Sequence, residues 1–247
     1  MNQTRWYTIL AASLIAASAV SYLTQIVLFQ RTEDTFFYML QDIAFVPIQV
    51  LLVTLILNQL LSSRERRALM KKLNMLIGTF HIEAGAELIR RCSAFTGDLN
   101  EIRRQLNVDP RWTSREFHAA AAFVKGRDLR IDSRSGDLNS LKALLESKRH
   151  FLLSLLANPN LLEHDSFTDL LWAVFHLAEE LSARKSLDGL PRVDYDHLSG
   201  DIKRAYAQLL VEWLYYMKHL KEDYPYLFSL AVRMNPLDPE ADAVVKG

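Results

Sequence analysis

The sequence predicts an all-α protein, with an N-terminal two-helix transmembrane hairpin followed by a cytoplasmic helical-bundle domain. Three observations carry this expectation. Two long apolar runs, nearly free of charge, stand near the N-terminus; later segments repeat apolar residues at three- and four-residue intervals; and only eight Gly and seven Pro interrupt 247 residues. No segment shows the period-2 alternation of a half-buried strand. Lys+Arg and Asp+Glu balance at 29 each and half of the residues are apolar. That composition excludes a disordered tail and a nucleic-acid binder driven by net charge. The single cysteine, Cys92, excludes a disulfide framework, a Cys-rich zinc site and a CxxC redox pair.

The first apolar run, Tyr7 to Phe29, has no charged residue and is long enough to cross about 30 Å of hydrocarbon as a helix. Ala17-Ser18-Ala19 has the small-x-small form of a signal-peptide cleavage site, but the apolar run continues beyond it, which favours a retained span. The second span is expected from about Phe36 to Leu61, after a short link, Gln30 to Thr35, that carries Arg31, Glu33 and Asp34. Arg64, Arg66, Arg67, Lys71 and Lys72 follow it, and such a basic cluster marks the cytoplasmic side. Both termini are therefore expected in the cytoplasm, with the chain in the plasma membrane. Trp6, Tyr7, Phe36, Phe37 and Tyr38 stand at the borders of the spans, where aromatic rings favour the headgroup layer.

Residues 62–235 are expected to form one helical domain, with 236–247 as a flexible tail. Leu69, Leu73, Leu76, Phe80, Ala84 and Leu88 form an amphipathic stripe that predicts a helix running on from the second span to about Phe95. Gly97-Asp98 supplies a stop and a new N-cap. Thr113-x-x-Glu116 predicts a capping box, Asp137 precedes a further helix closed by Asn158-Pro159, and Ser166 opens the next. A long helix is expected from about Tyr195 to Glu222, broken at Tyr224-Pro225, and a short one ends at Asn235-Pro236. Trp213, Tyr216, Leu220, Tyr224 and Leu227 are assigned to the core.

Charge is unevenly spread. Residues 62–134 carry fifteen basic against nine acidic residues, and 135–247 carry twelve against seventeen. The juxtamembrane cluster Arg64, Arg66, Arg67, Lys71 and Lys72 suits anionic lipid headgroups, and Lys125, Arg127, Arg130 and Arg134 form a second basic group in a loop. In the second span Asp42, Gln49 and Gln59 share one face, with Pro47 between them. Such a face avoids lipid, either against a partner helix or, in a ring of subunits, along a pore. Ala12, Ala16 and Ala19 give the first span a small-residue face for close helix packing, and a homo-oligomer is expected.

None of the strong enzymatic signatures occurs, neither GxxxxGK[ST] nor GxGxxG, HExxH or GxSxG. Helical His and carboxylate clusters remain: His81 with Glu83 and Glu87, His176 with Glu179 and Glu180, and His197 with Asp194 and Asp201. Facing helices bearing such pairs can hold metal inside a bundle, although the Glu-x-x-His order of di-metal bundles is absent. The adjacent His164-Asp165, with His118 or His150 upstream and Asp194 or Asp201 downstream, resembles the metal signature of the HD phosphohydrolase family. That resemblance implies a metal-dependent hydrolase, but it covers only those few residues, and Asp165 also fits a helix cap.

Taken together, the sequence points to a two-pass membrane protein whose cytoplasmic helical domain serves interaction or scaffolding without catalysis. No cofactor and no metal are assigned, and the partners are a lipid bilayer and a cytoplasmic protein, not nucleic acid. An oligomeric channel lined by Asp42, Gln49 and Gln59 is the alternative. A tethered metal-dependent hydrolase using the His164-Asp165 region is the lesser one, and the candidate metal ligands are His164, Asp165, His176, Glu180, His197 and Asp201.

Overall fold

Helices account for nearly every element in the computed structural model, which describes residues 3–30 and 32–245. The chain divides into two units, Met1–Arg66 and Arg67–Gly247. In the first, helix α1 (Gln3–Phe29) ends where Gln30 takes a left-handed conformation (φ 48°) and its N–H donates to Ile26 O at 3.0 Å. This αL ending satisfies one of the last carbonyls and halts the helix. Helix α2 begins at Thr32 and runs to Phe80, passing through Pro47 and carrying the boundary between the units. Arg31, assigned to the link, lies outside the described residues.

Two helices are long and apolar enough to cross a membrane by length and composition, one over Ala11–Leu28 and one within Glu33–Ser93. None of the most apolar window of either is buried. Hydroxyl groups in α1 bond along their own helix, Ser21 Oγ to Ala17 O at 2.9 Å and Thr24 Oγ1 to Val20 O at 2.8 Å. Within this unit the Tyr22 hydroxyl of α1 donates to Asp42 Oδ2 of α2 at 3.0 Å.

The second unit has its own hydrophobic core. The end of α2 contributes Leu73, Ile77 and Phe80, all buried. A single π-helical turn, His81–Gly85, leads directly into α3 (Ala86–Ser93), so the helix expected to reach about Phe95 ends close to that point but changes register on the way. Short α4 (Leu99–Gln105) follows, then α5 (Ser114–Gly126), whose N-terminus carries the expected capping box: the Glu116 carboxylate accepts from Thr113 N and the Thr113 side chain from the backbone at Glu116. Helix α6 (Leu138–Leu156) is capped by Asp137, which accepts from Ser140 N at 2.9 Å.

After a 3-10 turn at Pro159–Glu163 come α7 (Asp165–Ala183), α8 (Arg192–Asp223) and α9 (Pro225–Arg233). α8 is the spine: it packs against α3, α5, α7 and α9, and buries Leu198, Ile202, Tyr206, Leu209, Leu214 and Met217. Tyr206 is buried with its hydroxyl 2.9 Å from Ser93 Oγ, a satisfied polar group inside the core. Trp213 and Leu220 join that core, Tyr216 is half-buried against it, and Tyr224 and Leu227 are exposed. Among the described residues there is no strand, only an isolated bridge between Thr96 and Ile131. In the segment expected to fray, Leu237 is buried and its carbonyl accepts from Arg103 Nε at 2.7 Å.

Candidate functional site

Helices α7 and α8 pack side by side, and near the loop that joins them each presents a histidine and a carboxylate four residues apart. His176 and Glu180 come from the last turns of α7, His197 and Asp201 from the first turns of α8. Spacing of four places each pair on one helix face. His197 Nε2 lies 3.4 Å from Glu180 Oε2 and 3.3 Å from Asp201 Oδ2; His176 Nε2 lies 3.5 Å from Asp201 Oδ1 and 3.9 Å from Glu180 Oε1. Glu180, His197 and Asp201 each bring one ligand atom within 4.8 Å of the other two, the one such group among the described residues.

Two guanidiniums brace this cluster. Arg184 Nη1 is 2.8 Å from Glu180 Oε2, and its other edge binds Asp194 in bidentate fashion at 2.9 and 2.6 Å. Arg204 Nη1 donates to Asp201 Oδ1 at 3.1 Å. The hydrogen bonds from Arg184 hold the Glu180 and Asp194 carboxyls below their ordinary range, and those carboxylates raise Arg184 in turn. Asp201 is only 3% exposed, yet its Oδ2 has no hydrogen-bond partner, whereas the two imidazoles are about half exposed.

A second polar group surrounds a cavity of about 50 Å³ lined by Asn74, His164, Glu212, Tyr216 and His219 among others. Asn74 Nδ2 is 3.3 Å from His219 Nδ1. Burial pushes the Glu212 carboxyl above its ordinary range, opposed by the Ser166 hydroxyl and by His164 and Lys125. His81, in the π-helical turn, stacks on Tyr216 with ring centroids 4.8 Å apart, and neither ring nitrogen has a hydrogen-bond partner. Its burial lowers the imidazole to about 3, so this histidine is neutral in any physiological buffer.

The other expected site residues fall as follows. Asp42, Gln49 and Gln59 lie on α2 with exposed side chains, and Asp42 accepts the Tyr22 hydrogen bond, a partner that no local spacing announces. Arg64, Lys71 and Lys72 are exposed; the side chains of Arg66 and Arg67, like those of Trp6 and Tyr7, lie outside the described residues. Three arginines of the basic loop are paired: Arg127 and Arg130 with buried Asp98, and Arg134 with Asp132. Asp98 therefore ties down that loop instead of capping α4 with its side chain.

His164 and Asp165 join no group within metal-ligand range among the described residues. His164 Nδ1 instead accepts from Phe167 N at 3.3 Å as the N-cap of α7, the role expected of the residues after it. His118 and His150 are exposed on α5 and α6, and Asp194 and Asp201 belong to the arginine-braced cluster. The first cluster also separates: Glu83 faces Lys148 at 3.3 Å, Glu87 pairs with Arg90 and Arg91, and His81 is buried.

An all-helical chain with an N-terminal unit of two long helices and a larger C-terminal helical unit is the class these observations define. Both parts match family models, residues 2–61 the one described as MJ1433, N-terminal helical domain, and residues 69–233 the one described as Uncharacterized protein MJ1433, C-terminal helical domain. The chain is 43% identical over 238 residues to Uncharacterized protein MJ1433 of Methanocaldococcus jannaschii, covering 96% of each, and it belongs to the MJ1433 family. No solved structure matches it.

Proposed function

We propose that this protein is a two-pass membrane protein whose C-terminal helical unit is a cytoplasmic interaction domain without a catalytic role. The observation that carries the reading is the uncovered apolar surface of the first unit. Leu14, Ile15, Val27, Phe37 and Leu40 are each more than 60% exposed, and none of the most apolar window of either long helix is buried. A surface helix of a soluble protein keeps a polar face toward water, whereas a helix apolar all round needs lipid or protein about it. The basic residues from Arg64 to Lys72 support a cytoplasmic start for the second unit. In that unit Ile82, Trp172 and Tyr226 offer exposed apolar contacts.

Membrane fractionation with an alkaline wash, combined with reporter fusions at both termini, tests the anchored reading. The expected result is retention in the washed membrane with both reporters active only on the cytoplasmic side. Recovery of the intact chain in the soluble fraction overturns it. For Asp42, the Tyr22 hydrogen bond supports a helix-packing role over a pore-lining one.

A further inference from the structure

We propose that His176, Glu180, His197 and Asp201 bind one divalent first-row transition-metal ion between α7 and α8. Donors held at about 2.0–2.2 Å from a tetrahedral centre lie about 3.3–3.6 Å from one another. Glu180, His197 and Asp201 already bring one ligand atom each within 4.8 Å of one another, with His197 Nε2 at 3.4 and 3.3 Å from Glu180 Oε2 and Asp201 Oδ2, in that range; His176 Nε2, 3.5 Å from the other Asp201 oxygen, has to turn inward to complete the set. Two imidazoles with two carboxylates suit zinc, cobalt, manganese or iron(II) better than magnesium or calcium, which favour all-oxygen shells.

The second observation is the buried carboxylate. Asp201 Oδ2, in a side chain that is 3% exposed, accepts no hydrogen bond, for His197 Nε2 at 3.3 Å is not aligned to donate one; such an oxygen costs free energy unless a cation satisfies it. Arg204 donates to Asp201 Oδ1 and Arg184 to Glu180 Oε2, hydrogen bonding of the kind that orients metal-ligating carboxylates. Among the carboxylates and guanidiniums, Glu180, Asp194 and Asp201 outnumber Arg184 and Arg204 by one negative charge, which favours a cation. The half-exposed imidazoles leave the ion a way in from solvent. The proposal rests on the second unit alone and is independent of membrane insertion.

The test uses the full-length protein, metal-stripped in mild detergent and titrated with Co(II). One Co(II) per chain is expected, with the visible bands of a four-coordinate site that Zn(II) abolishes. Asp201→Asn keeps the shape and removes the charge, and it should weaken binding at least tenfold. The His176→Ala/His197→Ala double variant should lose the bands, while the His118→Ala/His150→Ala double variant keeps them. Should the first double variant lose its helical circular dichroism, the single His197→Gln variant carries the same expectation. Sub-stoichiometric Co(II) on the wild-type chain, or equal binding after Asp201→Asn and His197→Gln, overturns the proposal.

Discussion

At the scale of single residues, the second unit contains buried ionisable groups whose environments favour opposite charge states, a neutral His81 and an ionised Asp98. His81 titrates at about 3 in the fold, against 6.5 for an ordinary histidine. As pH falls below 6.5 the unfolded chain takes up a proton that the folded chain refuses. Stability is therefore lost at up to about 1.4 kcal/mol per pH unit until about pH 3, and nothing is lost above 6.5. His81→Phe keeps a ring against Tyr216 and should flatten this acid slope in urea melts taken across that range; parallel slopes in both proteins would sink the assignment. Asp98 works further down the scale. Hydrogen bonds from the Arg130 side chain and backbone hold it at about 2, so its contribution is complete above its ordinary 3.8 and is lost as pH falls through 2. Asp98→Asn should cost about 1–3 kcal/mol at neutral pH, because a buried hydrogen-bonded charge becomes a weaker acceptor. Neither partnership was legible beforehand, since Asp98 and Arg130 stand 32 positions apart and the sequence pattern there announces only a stop and a basic loop.

The helix turns that depend on local chemistry were legible, and those that depend on packing were not. Thr113-x-x-Glu116 and Asp137 cap α5 and α6 as their spacing indicates, because a cap is made within four residues. Thr113→Ala should accordingly cost about 1 kcal/mol. The π-helical turn at His81–Gly85 was invisible, because a slip from i+4 to i+5 bonding is decided by what packs on the turn, here the buried His81 against Tyr216. Gly85 is the local trace of that slip. A Cβ placed there would sit 2.7 Å from His81 Nδ1 and 3.1 Å from the Phe80 ring, whereas one at Gly78 meets only Tyr216 at 3.4 Å. Gly85→Ala should thus destabilise by about 1–3 kcal/mol through overpacking, and Gly78→Ala should be neutral or gain up to about 1 kcal/mol from helix propensity. Equal effects of the two in chemical denaturation would contradict this account of the turn. The α7–α8 cluster lies between these cases: the i,i+4 pairs His176/Glu180 and His197/Asp201 stand in the sequence, but nothing local says that the two faces meet.

At the scale of the whole molecule, the apolar runs are concentrated in the first 61 residues while the later helices are amphipathic. The structure divides the chain at Arg66–Arg67, and the two family matches end and begin at 61 and 69. That coincidence makes a strong demand of the second unit. Among the described residues its core, from Leu73 and Phe80 through Phe167, Tyr206 and Leu214 to Leu237, is drawn from its own residues. The fragment 67–247 should therefore fold by itself, remain soluble without detergent, and unfold in urea as one cooperative transition with a slope of about 1–3 kcal/mol per molar. The full-length chain carries the uncovered apolar windows of α1 and α2 and should aggregate when detergent is withdrawn. Light scattering on both proteins reads the two expectations together. A fragment that is soluble but lacks a cooperative transition means that the second unit requires the first to fold; a full-length chain that stays monodisperse without detergent means that its apolar helices cover one another, and the membrane reading then loses its main support.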